Sequence, residues 1–424
     1  MNRRAKLALF SLSALTMTLG VAAVTSGADW PQFRGPNRDG ISREAGLLKD
    51  WPETGPRVLW KVPVGEGYSA MSVVGNRLYT MYNQGSDEIV AAHDTATGKQ
   101  VWRFRSDSAY TDSMGSGPRA TPVVDGGLVY TLGAQGKLNA LDARTGKRVW
   151  GSDLQRDFGA KPPQWGISTT PLIEGNLLLV DVGGASNKSA VAFDKKTGKV
   201  VWAAQNDKAG YSAPIAVTVG GVRQVIFFTA TSVASLSPRD GRLFWRTPWR
   251  TDWDVNAATP IFVPPDRLFV SSGYDTGSAM FRIGGGGVQE VWRNKGMKNQ
   301  FSSSVLHNGT LYGFDNATLK AISAASGEDR WRQRGFGHGS LILADGHLYV
   351  LSDRGKLALV EASPEDYREK ASFEPLSGKC WTAPVLANGV LYIRNEEQMM
   401  ALDVRGGAAK PAAAKKPAAA KTGR

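Results

Sequence analysis

The sequence predicts an all-β fold, an eight-bladed propeller closed into a ring, and three observations carry that prediction. A strand-turn-strand phrase recurs along the chain. The units between its copies read as four short strands joined by hairpin turns. The two ends of the repeat region supply complementary parts of one unit. The phrase is clearest as ALDARTGKRVW, Ala140 to Trp150, and returns as AAHDTATGKQVW ending at Trp102, VAFDKKTGKVVW at Trp202, ASLSPRDGRLFW at Trp245 and a worn AISAASGEDRW at Trp331. Recurrence every ~40–50 residues marks a repeat architecture.

The unit from Ala120 to Trp150 shows the grammar. Strand-like runs are separated by Asp125-Gly126, Gln135-Gly136 and Thr145-Gly146, three turns for four strands. Comparable runs from SVVGNRLYTM to TAPVLANGVLYI bring the count to eight, and residues 57–403 then allow roughly 43 per unit, the length of a four-stranded blade. The eighth unit stops at Asp403 without its Trp-bearing strand, whereas RVLWKVPV, Arg57 to Val64, is a strand with a Trp and no unit before it. The N-terminal strand should therefore complete the last blade. Within the phrase, Asp142 can bond the backbone of its own turn, Gly146 supplies a positive φ, Lys147 is solvated and Trp150 projects onto the next blade. Trp60, Trp102, Trp150, Trp202, Trp245, Trp292 and Trp331 share that phase and are read as structural docking residues; Trp381 is out of phase.

On these residues the chain resembles the PQQ-repeat, quinoprotein-dehydrogenase-like propellers, whose docking motif is similar to Ala-x-Asp-x-x-Thr-Gly-x-x-x-Trp. The resemblance covers residues 57–403. It implies either a quinone-dependent alcohol or sugar dehydrogenase or a non-catalytic propeller like the lipoprotein of the outer-membrane β-barrel assembly machine. The leader DWPQFRGPNRDGIS, Asp29 to Ser42, also looks like that of many secreted members. A dehydrogenase of this family implies a planar quinone at the ring centre, a Ca²⁺ held by carboxylate and amide oxygens, an Asp base and a wall made by a disulfide between adjacent cysteines. Cys380 is the only cysteine, and the unit spacing leaves no room for long insertions. No cofactor, metal or catalytic residue is therefore expected, PQQ with Ca²⁺ entering only under the dehydrogenase alternative.

Other motifs add no chemistry. His93, His307 and His347 lie in or beside turns and are expected to be solvated, with no spaced metal partner. Gly284 to Gly287 stands where other units have TGK and reads as a loosened turn; GSGPR, Gly115 to Arg119, reads as a loop between blades.

The ends bound the cellular setting. A basic start, an apolar run from Leu7 to Val24 and small residues at Ser26 to Ala28 read as a signal peptide over residues 1–28, which leaves no transmembrane segment and a periplasmic or secreted protein. Residues 29–56 form an N-terminal extension, 57–405 the propeller, and 406–424 an Ala/Lys/Pro tail with nothing to bury, expected to be disordered. Of the formal charge of +13, the signal carries three and the tail five, so the folded part holds +5 with its basic residues interleaved among acids, against a nucleic-acid partner.

Loops entering the innermost strands of such a ring form one face, the mouth of the central channel. The residues just before those strands are Tyr68, Arg119, Ser168, Tyr211, Ala257, Phe301, His338 and Trp381, with Trp165 and Trp253 in longer loops. Aromatic loop residues converging on a concavity are a binding signal. Tyr68, Arg119, Trp165, Tyr211, Trp253, Phe301, His338 and Trp381 are the candidate binding face, with Gln164, Asp252, Asp254, Asn256, Lys298, Asn299 and Gln300 as polar neighbours. Two carboxylates, Asp252 and Asp254, make a thin case for a cation. The reading is a monomeric, non-enzymatic binding or scaffolding module of the cell envelope whose partner is another envelope protein or an extended peptide. The alternatives are a PQQ-dependent dehydrogenase and a carbohydrate-binding propeller.

Overall fold

The computed structural model describes residues 28–284 and 286–406, so the expected signal peptide up to residue 27 and the tail from residue 407 lie outside the described residues. Eight antiparallel sheets follow one another along the chain. Blades 1 to 7 occupy residues 72–108, 123–153, 172–204, 215–248, 261–294, 305–333 and 340–373, with the first strands of neighbouring blades meeting at the centre. Blade 8 takes three strands from 385–403 and its outer strand from Arg57–Pro63, which pairs with Gln398–Asp403 in a register running from Arg57↔Asp403 to Pro63↔Gln398. The ring is closed by the N-terminal strand. Each blade is covered on both faces by its neighbours, which is why middle strands such as Val222–Phe228 and Leu357–Glu361 contain continuous apolar runs of four residues.

The recurrent phrase joins blade to blade. The indole N–H of Trp60 donates to the Thr95 carbonyl (2.7 Å), that of Trp102 to Ala143 (3.0 Å), Trp150 to Lys195 (2.9 Å), Trp202 to Pro238 (2.9 Å), Trp292 to Ala324 (3.2 Å) and Trp331 to Ser363 (2.8 Å), each in the following blade. The turn glycine is fixed twice over: Gly198 has φ +72°, and a Cβ on it would stand 2.6 Å from the Trp150 ring. The turn carboxylate does what its position suggests, Asp142 accepting from the Thr145 N–H (2.7 Å) and hydroxyl (2.7 Å).

Two seams depart from the rule. Blade 5 has the loosened glycine turn where a docking turn should be, and the Trp245 N–H instead bonds Gln224 Oε1 in its own blade (3.0 Å). Trp249, four residues on, fills that seam: it is buried between Phe228 and Phe281, donates to Ser272 Oγ (3.0 Å) and lies under the Arg293 guanidinium at 4.5 Å. In blade 7 the Trp position is Ala371, paired with Leu359, and Trp51 of the N-terminal extension packs on Tyr349 and Phe373 (6.1 and 6.0 Å).

The leader enters the ring rather than lying on its surface. Trp30 is buried and exchanges two backbone hydrogen bonds of 2.8 Å with Val73 of blade 1, and the Pro31 carbonyl accepts from Val124 of blade 2 (2.8 Å). Arg38 donates to the carbonyls of Thr170 (3.2 Å), Pro171 and Pro214 (2.9 Å), ahead of blades 3 and 4, and Arg34 to that of Ser304 (2.6 Å), ahead of blade 6. Ile41–Ser42 then adds in parallel to the inner strand Ser340–Ala344 of blade 7. Both guanidiniums are buried with oxygen acceptors but no ion pair among the described residues. Burial lowers Arg34 to about 10, partly offset by the Asp39 charge, and Arg38 to about 9, so both remain cations at neutral pH, held chiefly by carbonyl dipoles.

Candidate functional site

The leader plugs the central channel, turning it into a blind cavity of about 350 Å³ that opens on the mouth face. Tyr68, Arg119, Trp165, Tyr211, Phe301, His338 and Trp381 all line it, because each precedes an inner strand and is thereby delivered to the same end of the ring. Tyr68, Trp381, Phe301 and His338 form one arc, with ring centroids 5.5, 4.9 and 5.9 Å apart in that order. Trp165 and Tyr211, 6.2 Å apart, form another, and the Trp165 N–H donates to the Tyr211 hydroxyl (3.2 Å). Between the arcs, Arg119 lies over Tyr110 at 4.5 Å and donates to the carbonyls of Gly115 (2.6 Å) and Gly117.

Trp253 is placed elsewhere. It sits in the short turn Asp252–Asp254 with φ +63° and is 67% exposed, because the left-handed backbone turns its ring out to solvent. The neighbouring Asp254 faces Lys208 (3.2 Å), and neither it nor Asp252 lines the cavity. Sequence reasoning missed Tyr274 and Met114 in the wall and Trp30, Phe33 and Arg34 at the floor. The floor lies far from the repeats in sequence, and no periodicity announces it. One histidine needs correcting: His93 is buried, 4% exposed, rather than solvated, because it faces the seam with blade 8, beside Val62 and Pro63 and within reach of the Arg394 charge.

The electrostatics of the lip are specific. The Tyr68 hydroxyl donates to Glu396 (2.7 Å), and burial together with that carboxylate raises its pKa above the ordinary phenol value. Lys379 donates to the Tyr68 hydroxyl (3.2 Å) and the Met114 carbonyl (3.2 Å), with its ammonium 4.6 Å over the Trp381 ring. Burial lowers Arg119, raises Tyr211 to about 12 and raises the Cys380 thiol to about 12, so this lone, buried cysteine stays protonated.

The cavity does not fit a quinone held through Ca²⁺. That cation takes about six to eight oxygen ligands with carboxylates among them. No Asp or Glu lines the cavity, and no cluster of three or more His, Cys, Asp or Glu suited to a metal occurs among the described residues.

Comparison with known proteins places this architecture. The family profile described as "Outer membrane protein assembly factor BamB" matches residues 44–161, 86–333 and 315–410. The chain is 30% identical over 158 residues to the quinoprotein alcohol dehydrogenase PedH of Pseudomonas putida, covering 35% of this chain and 25% of that protein. It is 28% identical over 198 residues to the outer membrane protein assembly factor BamB of Burkholderia pseudomallei, 45% of each. It thus spans less than half the length of these curated relatives. In fold it is similar to the crystal structure of BamB from Moraxella catarrhalis, with a TM-score of 0.60 at 16% identity over 82% of this chain and 99% of that one. With the profile running through nearly every blade, the chain belongs to the PQQ-like repeat family that this BamB profile describes.

Proposed function

We propose that this protein is exported and acts in the cell envelope as a non-enzymatic binding module, with the aromatic mouth as its binding site. The observation that carries the reading is the blind cavity itself: seven loop residues from different blades converge on it, and its lining offers rings, hydroxyls and cations but no carboxylate base. Rigid aromatic groups around a concavity are what recognition uses. Export is supported by the basic, apolar and small-residue order of residues 1–28, and no helix among the described residues is long and apolar enough to cross a membrane. The kinship with an outer membrane assembly factor supports an envelope setting.

The test is the triple variant Tyr211→Ala, Phe301→Ala, Trp381→Ala, which should abolish ligand capture at the mouth while leaving the thermal transition cooperative. A second reading, a PQQ-dependent dehydrogenase, is favoured by the kinship with quinoprotein alcohol dehydrogenases and by the central position of the cavity. Calorimetry with PQQ and Ca²⁺, followed by dye reduction with alcohols or sugars, separates the two. Micromolar binding with substrate-dependent turnover would replace the binding-module assignment.

A further inference from the structure

The mouth is apolar in its depth and cationic at its lip. Trp30, Phe33, Leu341, Ile342 and Val385 line the deeper part, and the floor cation Arg34 already donates to the carbonyls of Arg38, Asp39 and Ser304. The lip cations are less committed. Arg119 makes hydrogen bonds only to two carbonyls, forms no ion pair among the described residues, and retains donors from its five N–H groups. Lys379 has one carboxylate near, Glu396 at 4.0 Å, and that carboxylate already accepts the closer Tyr68 hydroxyl at 2.7 Å. Other acids on the rim loops are similarly engaged: Asp112 with the Met114 N–H (2.8 Å), Asp275 with Lys295 (2.6 Å), Asp254 with Lys208 (3.2 Å), and Asp353 with the His338 N–H (3.1 Å).

We propose that the mouth docks a peptide segment that inserts one aromatic side chain into the cavity and lays a neighbouring Asp or Glu carboxylate across Arg119 and Lys379. The proposal rests on the reading of the mouth as a binding site and adds the chemistry of the partner. Three features select this occupant. The plug closes the far end, so a chain cannot thread the ring and must enter by a side chain or a terminus. A cavity of about 350 Å³ walled by rings accepts one large planar side chain. The cations with donors to spare stand at the lip, while Arg34 in the depth is already committed to carbonyls, the arrangement that an anionic residue flanking an inserted ring would meet, with charge-assisted bonds to Arg119 as the strongest contacts.

The test is a selection of random dodecapeptides displayed on phage against the immobilised full chain, followed by calorimetry of the best synthetic peptide and its Asn/Gln analogue. The expected result is enrichment of Asp or Glu within two positions of Phe, Tyr or Trp. The neutral analogue should bind about ten-fold more weakly, the loss of one charge-assisted contact. Arg119→Gln and, separately, Lys379→Gln should bring the acidic peptide to the level of its neutral analogue, with unchanged melting curves for at least one of the two. Aromatic enrichment without acidic bias, or with basic bias, would overturn the partner chemistry while leaving the mouth as a binding site. Acid-dependent binding unaffected by either variant would overturn the placement. An absence of any enrichment that the triple alanine variant removes would sink both the proposal and the reading beneath it.

Discussion

Two seams of the ring carry the same docking device and are filled in opposite ways. Between blades 2 and 3, Trp150 reaches the Lys195 carbonyl and stacks on Phe193 (6.1 Å), with Phe158 edge-on to the same ring (5.6 Å). Between blades 8 and 1, where the two ends of the chain meet, Trp60 reaches Thr95 in the same manner, but His93 stands at the position of Phe193 and Arg394 crosses the seam. Arg394 is wholly buried and donates to the carbonyls of Gly65 (2.8 Å), Ser69 (3.4 Å) and Met81 (3.0 Å) and to the Thr80 hydroxyl (3.2 Å). The motif therefore sets the spacing of the blades, whereas the filling decides what each seam depends on. Apolar filling tolerates small slips; a buried cation that relies on convergent carbonyls does not.

The largest effect should come from removing the closing strand. Deletion of Arg57 to Pro63 strips the partner from Gln398–Asp403 and bares a sheet edge, so size-exclusion chromatography should show association or aggregation beyond that of the full chain. A monomeric, fully folded deletion variant would mean that the ring does not depend on this strand. Next, Trp150→Ala should cost about 3–5 kcal/mol in urea unfolding through the loss of a large packed ring. Arg394→Met should cost about 2–3 kcal/mol, because it leaves several buried carbonyls without a donor. Trp150 and Arg394 act in separate seams, so their double variant should show additive losses.

The ring was legible because its elements are repeated. Four strands per unit, the turn glycine and the missing strand of the last unit all recur in sequence, and antiparallel hairpins turn that recurrence directly into blades. The mouth was legible for a related reason: position before an inner strand is a topological fact, and it delivered Tyr68, Tyr211, Phe301 and Trp381 to one cavity. Trp253 does not line the cavity because the turn runs through left-handed backbone at Trp253 and Asp254 (φ +63° and +58°), which loop position alone does not reveal. The plug was hidden because Arg34 and Arg38 look like solvated charges until the ring supplies their carbonyl acceptors from distant blades. Trp51 and Trp249, outside the repeat phase, gave no sign that they stand in for docking residues. His93 did leave a signal: with the units aligned on their Trp partners, its position is Leu141, Phe193, Leu236, Phe281, Ile322, Val360 and Leu402 in the other seven blades.

That one polar substitution yields the smallest and most selective test of the closing seam. His93 Nδ1 faces the Gly98 carbonyl at 2.9 Å, which fixes the proton on that nitrogen, while buried Nε2 has no hydrogen-bond partner among the described residues. Protonation would place a second charge in a seam that already holds Arg394, and the other charged groups around the adjoining groove are Lys99, Glu66, Glu396 and Glu397. Burial first, with Arg394 adding to it, lowers the His93 pKa from its ordinary 6.5. The unfolded chain therefore takes up a proton as pH falls through 6.5 and the folded chain does not, so stability is full above that value. It declines below it by at most about 1.4 kcal/mol per pH unit, until the lowered folded pKa is reached. Buried Glu88 and Asp181, raised by burial, act with the opposite sign, being protonated more readily in the folded state, but they are common to any pair of variants compared. The measurement is the difference between wild type and His93→Leu in urea unfolding at pH 8 and pH 5. The variant should gain more at pH 5 than at pH 8, by at most about 2 kcal/mol, as this position becomes apolar as it is in the other seven blades. An identical difference at the two pH values would mean that His93 does not set the acid sensitivity of ring closure.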